Sequence, residues 1–140
     1  MTEEAIPFQD PDLSTRYLGL DFNGTGCSKS AFNSLNGKYM MYLNKLHDRA
    51  LTYAEGAYVL QSVLYSRLGY GMVATIPDDE DCARWQSMAN RLLARWLRSH
   101  STSRAVFAAS RRNGGMGGKT LTRIRDENVI TTALSILNDE

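Results

Sequence analysis

The segment from Trp85 to Arg98 restricts the possible fold more than any other part of the chain. On a helical wheel at about 100° per residue, one sector of roughly 60° holds Arg84, Arg91, Arg95 and Arg98. The opposite side carries Trp85, Ala89, Leu92, Leu93 and Trp96. A helix with one apolar face and one basic face packs the apolar face against other elements. We therefore expect an α-helix whose indole rings point into a core and whose arginines point outward.

This helix belongs to a longer stretch in which basic residues are not balanced by acids. The stretch contains ten basic residues and no acidic one: Arg84, Arg91, Arg95, Arg98, Arg104, Arg111, Arg112, Lys119, Arg123 and Arg125. The net charge of the whole chain is only +1, so the neutral total conceals a local positive field. Arginine binds phosphate through paired hydrogen bonds. The stretch predicts contact with a nucleic-acid backbone, and the alternative is a solvated helix face that only aids solubility.

Length and composition favour one folded domain. The chain has 140 residues, of which 43% are hydrophobic, enough for a core. No apolar run approaches the roughly 18 residues of a membrane span, and the acidic N-terminus is unlike a targeting peptide. We expect an intracellular, soluble protein, with the nucleus and the cytoplasm both open. Cys27 and Cys82 form no CxxC or Cys/His cluster, so neither a disulfide framework nor a zinc site is indicated.

The periodicity predicts a mainly α fold, a bundle of three to four helices with a short N-terminal strand or hairpin. Alternation over residues 15–22 indicates a strand before a turn at 23–26. Apolar spacings of three and four indicate a first helix from about Ser30 to Ala50. Thr52 and Glu55 have the spacing of a capping box and open a second helix that runs to Gly69 and Gly71. The acids at 78–81 open a third helix, which ends near Arg98.

The rest of the chain is predicted with less detail. Residues 104–110 suit either a short helix or a strand, and 113–118 suit a flexible glycine loop. A last helix closes the chain. We therefore divide the sequence into an acidic segment (1–14), a strand or hairpin (15–27), a helical domain (28–125) and a C-terminal helix (126–140).

Several motifs resemble sites of chemistry without completing one. Gly118-Lys119-Thr120 ends like a phosphate-binding P-loop, but Asn113 stands where that motif needs its first glycine. The acids at 78–81 suit the first turn of a helix better than a metal site. His47 and His100 have no nucleophile nearby, and we interpret them as a helix-surface or packing residue and a loop residue. We expect no catalytic residue, metal or cofactor in this chain.

The order of these elements resembles one family. A Tyr17-Leu18-Gly19 strand precedes a long helix, a second helix runs from 52 to 70, the basic helix follows, and Asn113-Gly114-Gly115-Met116-Gly117 leads to Leu121. This series resembles the end of the palm and the thumb of reverse transcriptases from non-LTR (LINE-like) retrotransposons, over about residues 13 to 125. Gly118-Lys119 departs from the family, whose glycine turn usually continues with a hydrophobic residue.

The resemblance implies that residues 15–27 correspond to the end of the palm and residues 28–125 to a thumb. Such a thumb grips the backbone of an RNA-DNA or DNA template-primer duplex, and the palm and fingers of the same polymerase would be its partners. We expect the nucleic-acid contacts from Arg84, Arg91, Arg95, Arg98, Arg104, Arg111, Arg112 and Lys119. The chain lacks an aromatic-x-Asp-Asp hairpin, so we expect no polymerase activity from it alone. The alternative is a small helical module that docks an acidic protein partner on its basic face.

Overall fold

The computed structural model of the chain describes residues 14–17, 20–23, 29–99 and 104–138, with side chains over 29–99 and 105–138. Its fold is mainly α. The helices of the described part are α1 Lys29–His47, α2 Tyr53–Val59, α3 Tyr65–Thr75, α4 Asp79–Trp96, α5 Arg104–Ala108 and α6 Leu121–Asn138. A π-helical turn, Leu60–Leu64, joins α2 to α3 without a break, so the described part contains five separate helices instead of the three to four expected.

Two short strands precede the helices. β1 Ser14–Tyr17 and β2 Leu20–Asn23 pair antiparallel, with Tyr17 opposite Leu20. The expected turn at 23–26 lies outside the described residues except for Asn23. The acidic segment 1–14 also lies outside them except for Ser14, as do Cys27 and His100.

Two helix starts confirm the capping pattern expected from the sequence. The Thr52 side chain accepts a hydrogen bond from the Glu55 backbone N–H, and the Glu55 carboxylate accepts one from the Thr52 N–H at 2.9 Å. The same contacts lower the pKa of Glu55. Asp78 caps α4 by accepting from the Asp81 N–H at 2.7 Å. Side-chain oxygens therefore satisfy N–H groups that the first helical turn leaves unpaired.

The core lies where α1, the α2–α3 helix, α4 and α6 meet. Trp85 is 0% exposed, and its ring stacks on Phe32 with the ring centres 5.5 Å apart. The Tyr39 hydroxyl donates to the Trp85 carbonyl at 2.8 Å. The first half of α1 thus contacts Trp85, near the start of α4, and His47 at the end of α1 contacts Arg95, near the end of α4. The two helices therefore run in the same direction. Apolar burial of this kind supplies most of the stability of a helical domain.

The C-terminal helix begins earlier than the expected boundary at residue 126. Its first residue is Leu121, whose N–H donates to the Gln86 side chain at 2.9 Å, and Thr120 accepts from the Arg123 N–H at 3.3 Å. Residues 104–108, where helix and strand were both open, form α5. In the part of the chain that the structure describes, no helix is long and apolar enough to cross a bilayer.

The glycine-rich segment is a hydrogen-bonded turn and not the flexible loop expected. The N–H groups of Gly115, Met116, Gly117 and Gly118 donate to carbonyls of residues 106–110, at 2.8–3.0 Å. Gly114 and Gly117 have φ of +77° and +69°, a conformation that favours glycine. Because these N–H groups are already bonded, they cannot wrap a phosphate as a P-loop does.

Two glycines inside helices differ in the space around them, and this difference predicts opposite effects on stability. A Cβ at Gly56 would overlap the Trp96 ring, whereas a Cβ at Gly37 would have no atom within 4 Å. We expect Gly56→Ala to lower the free energy of unfolding by about 1–3 kcal/mol. Gly37→Ala should raise it by about 0.4–1 kcal/mol, because alanine restricts the unfolded chain. Urea denaturation followed by circular dichroism measures both, and equal effects would contradict the Gly56–Trp96 contact.

Candidate nucleic-acid interface

The basic helix has the orientation expected from its pattern. Trp85 and Trp96 are 0% and 9% exposed, whereas Arg84, Arg91 and Arg95 are all exposed. Trp85 is held by a hydrogen bond from its indole Nε1 to Asn36, at 2.8 Å. One face of α4 is therefore core and the opposite face presents guanidinium groups, as the sequence predicted.

Arg98 reaches the same surface by a different route. Helix α4 ends at Trp96, so the helical wheel does not describe Arg98, and its expected place in the helical row is wrong. The Arg98 N–H donates to the Arg95 carbonyl at 3.0 Å and the Ser99 N–H to the Ala94 carbonyl at 3.1 Å, which is a Schellman ending. Arg98 has φ of +55°, in the position that glycine usually takes. It is nevertheless exposed and lies near the end of the helix.

The basic residues divide into those with a carboxylate partner and those without. Arg84 pairs with Asp81, Lys119 with Glu127 at 3.4 Å, and Arg123 with Glu127 at 2.6 Å. Arg123 and Lys119 both lower the pKa of Glu127. Among the residues whose side chains the structure describes, no carboxylate pairs with Arg91, Arg95, Arg98, Arg111 or Arg112. All five of these arginines are exposed.

Arg125 has a structural role. Its side chain is 14% exposed and pairs with Asp79 and Asp126, each at 2.8 Å. It also donates to the Pro77 carbonyl at 2.9 Å. These contacts join the start of α4 to α6. Burial raises the pKa of the adjacent Cys82 thiol, which makes that thiol unreactive.

A groove between α1 and α4 carries two of the exposed arginines, and we call it the arginine groove. Its volume is about 390 Å³. Its lining consists of Met40, Leu43, Asn44, His47, Met88, Arg91, Leu92 and Arg95. Arg91 and Arg95 are about 6 Å apart along the helix axis, close to the rise of two nucleotides in one strand of a duplex. The groove thus has an apolar floor and a cationic edge.

A second cavity, the corner cavity, lies where α1 turns into α2. Its volume is about 580 Å³. It is lined by residues 47–53 together with Arg95, Trp96 and Arg98. The two cavities share His47 and Arg95, so they form one continuous surface. The buried Nε1 of Trp96 has no hydrogen-bond partner among the described residues.

His47 is part of this surface, although its sequence context suggested only a surface or packing residue. Arg95 Nη1 donates to His47 Nε2, and His47 Nδ1 lies 3.3 Å from Asp48 Oδ1. Because Nε2 accepts, the proton of the neutral ring is on Nδ1, facing Asp48. His47 thereby links Arg95 to the end of α1. No local pattern predicts this contact, because it joins residues 48 positions apart.

The remaining expected site residues lie elsewhere or are only partly described. Arg111 and Arg112 are exposed on the short 3-10 helix after α5. Tyr53 lines the corner cavity, and burial raises the pKa of its hydroxyl. The nearby positive charge of Arg111 opposes this rise. The side chain of Arg104 is outside the described part. Arg84 and Lys119 carry the ion pairs given above, so we leave these two residues out of the contact set proposed below.

The acidic residues at the start of α4 lie far from the arginine groove. Asp78, Asp79, Glu80 and Asp81 form the cap and first turn of α4, roughly 25 Å along the helix axis from Arg95. The Debye length at physiological salt is about 8 Å, so these acids do not screen the arginine groove. Over the described residues, no group of three or more metal-ligating side chains comes together.

The tyrosines divide between core and surface. Tyr39 and Tyr65 are buried, and burial raises the pKa of Tyr65 to about 12. Tyr58 and Tyr70 are 69% and 56% exposed. Tyr42 and Tyr53 are partly buried against the core, so these six tyrosines divide between the interior, its edge and the surface.

Comparisons with protein-family models, with curated proteins and with solved structures each found no match. The resemblance to reverse-transcriptase thumbs therefore stays a prediction.

The left-handed conformation of Arg98 predicts a conflict between stability and binding. Arg98→Gly should raise the free energy of unfolding by about 1 kcal/mol, because only glycine adopts this conformation without strain. The same change removes a cation from the corner cavity and should weaken binding of a polyanion. Arg98→Ala provides the control, since it removes the cation without relieving the strain. Thermal unfolding and binding titrations of both variants test this, and a destabilised Arg98→Gly would contradict it.

Proposed function

We propose that this chain binds the sugar-phosphate backbone of a nucleic-acid duplex along the arginine groove. The observation that carries the proposal is a set of exposed cations, Arg91, Arg95 and Arg98, at one groove and its neighbouring cavity. None of the three has a carboxylate partner among the described residues. A guanidinium group binds phosphate well because two of its N–H groups can donate parallel hydrogen bonds to two phosphate oxygens. Such contacts position a duplex and carry no base sequence information, so we expect binding without strong sequence preference.

A second candidate function follows from the floor of the same groove. Met40, Leu43, Met88 and Leu92 line it beside the arginines. An acidic amphipathic helix would bury its apolar face on this floor and pair its carboxylates with the arginines. Duplex backbone has no apolar face to bury there. If the groove binds an acidic helix, a polyanion that lacks apolar groups should displace that helix poorly. If the groove binds a duplex backbone, the same polyanion should displace the duplex well.

The narrower form of the proposal is that the chain is the thumb of a non-LTR retrotransposon reverse transcriptase. Beyond the sequence resemblance, the second half of α6 supports it, because Ile130, Leu134, Ile136 and Leu137 are 54–68% exposed. Apolar patches of this kind suit contact with further protein, such as a palm. Reading the coding sequence upstream tests this form: a continuous frame with an aromatic-x-Asp-Asp hairpin between apolar strands would support it, and an unrelated domain would exclude it.

The backbone-binding proposal predicts a specific change in salt dependence. Replacing Arg91, Arg95 and Arg98 with Ala together should weaken binding of a blunt DNA duplex. Each lost phosphate contact should also reduce the log-log salt slope by about 0.9. Between 50 and 200 mM salt, wild-type affinity should therefore fall roughly 40-fold further than that of the triple variant. Fluorescence anisotropy with a labelled duplex measures both quantities.

A charge-matched control is available on the same protein. Replacing Arg84, Lys119 and Arg123 with Ala also removes three positive charges, but these side chains already pair with Asp81 and Glu127. The control variant should keep a salt slope close to that of the wild type. Equal loss in both variants would mean that net charge alone controls binding. No binding by the wild type at low salt would refute the proposal.

A further inference from the structure

A third groove, which we call the lysine groove, lies between α1 and the α2–α3 helix. It has a volume of about 160 Å³. Lys45, Arg49 and Arg67 line it together with Tyr42 and apolar side chains, and none of the acidic residues that the structure describes contributes to its lining. All three cations are exposed, and no carboxylate pairs with them in the described part of the chain. None of these three residues belongs to the basic stretch from Arg84 to Arg125.

The arginine groove and the lysine groove lie on opposite sides of α1. At about 100° per residue, the α1 side chains that line the arginine groove, Met40, Leu43, Asn44 and His47, fall within one sector of roughly 100°. Those that line the lysine groove, Tyr42, Lys45 and Leu46, are centred roughly 160° away from that sector. Helix α1 therefore separates the two grooves as a ridge about 10–12 Å wide.

The corner cavity connects the two grooves around the C-terminal end of α1. It shares Arg95 and His47 with the arginine groove and Arg49 with the lysine groove. Cations thus continue from Arg91 to Arg95, then to Arg49 and Arg67. Among the residues that the structure describes, Asp48 is the one carboxylate lining any of the three cavities, and it lies beside His47.

This path is too sharply curved for a duplex. Double-stranded DNA has a persistence length of about 150 base pairs, so it cannot bend around the end of a single helix. A single strand is flexible and follows grooves that combine cations with aromatic rings. The Arg67 guanidinium lies 5.6 Å from the centre of the Tyr42 ring and donates to the Tyr42 hydroxyl at 3.0 Å. This contact holds Arg67 as a flat surface on which a base can stack.

We propose that the corner cavity and the lysine groove bind a single-stranded extension of the nucleic acid whose duplex part lies along the arginine groove. The inference rests on the proposed function, because it needs the duplex to be held at Arg91, Arg95 and Arg98. It adds Lys45, Arg49 and Arg67 as contacts to the unpaired strand. The substrate class is then a duplex with an overhang, at the junction between paired and unpaired strands.

Two DNA probes and three proteins test this. The probes are a blunt duplex of about 12 base pairs and the same duplex with an overhang of about eight nucleotides, within the usual range of single-strand sites. The proteins are the wild type, a variant with Lys45→Ala, Arg49→Ala and Arg67→Ala, and the charge-matched control with Arg84→Ala, Lys119→Ala and Arg123→Ala. Circular dichroism melting establishes that each variant is folded before titration. If loss of the Arg67–Tyr42 contact unfolds the first variant, Lys45→Ala with Arg49→Ala replaces it.

The overhang should tighten binding by the wild type roughly tenfold, as expected for one or two stacked bases. The lysine-groove variant should lose this gain and bind the blunt duplex within about twofold of the control, while the control keeps the gain. If the wild type binds both probes equally, or if the gain survives in the variant, the inference is wrong and the proposed function stands. If the wild type binds neither probe, the proposed function fails and the inference fails with it.

Discussion

The burial of Trp85 against α1 is the contact on which the rest of the structure depends. Its ring stacks on Phe32, its indole N–H donates to Asn36, and its backbone carbonyl accepts from Tyr39. Stacking and hydrogen bonds together fix the rotation of α4 about its own axis. A rotation by one residue, about 100°, would turn the arginine face partly into the core. The exposure of Arg91 and Arg95 is thus a consequence of how one tryptophan is held.

The same helix accounts for the separation of charge. Acids in the first turn of α4 satisfy free N–H groups and interact favourably with the positive end of the helix dipole, and basic residues suit the other end. Asp78 and Arg95 occupy these two ends. The distribution that stabilises the helix therefore also places a cation at the C-terminal end of α4, away from the acids of its first turn. Arg125, in its ion pairs with Asp79 and Asp126, holds the acidic end together.

Features decided within one helical turn could be predicted from the sequence, and features decided between distant segments could not. The caps at Thr52 and Asp78 depend on groups three residues apart, so their spacing was sufficient. The outward direction of Arg91 followed from periodicity alone. The contact between Arg95 and His47 depends on tertiary packing. For this reason the cations of the lysine groove, which α1 and α3 bring together, were missed.

Arg98 shows why the end of a helix is both hard to predict and informative. A glycine after Trp96 would have marked the end of α4, but the chain has Arg98 in the left-handed conformation instead. A non-glycine residue there costs roughly 1–2 kcal/mol, and the backbone contacts of the Schellman ending do not need a charged side chain. Strain that packing does not require commonly occurs at functional positions. Arg98 also lines the corner cavity, so under the proposed function its cost in stability is offset by the cation that it supplies at the junction of the two grooves.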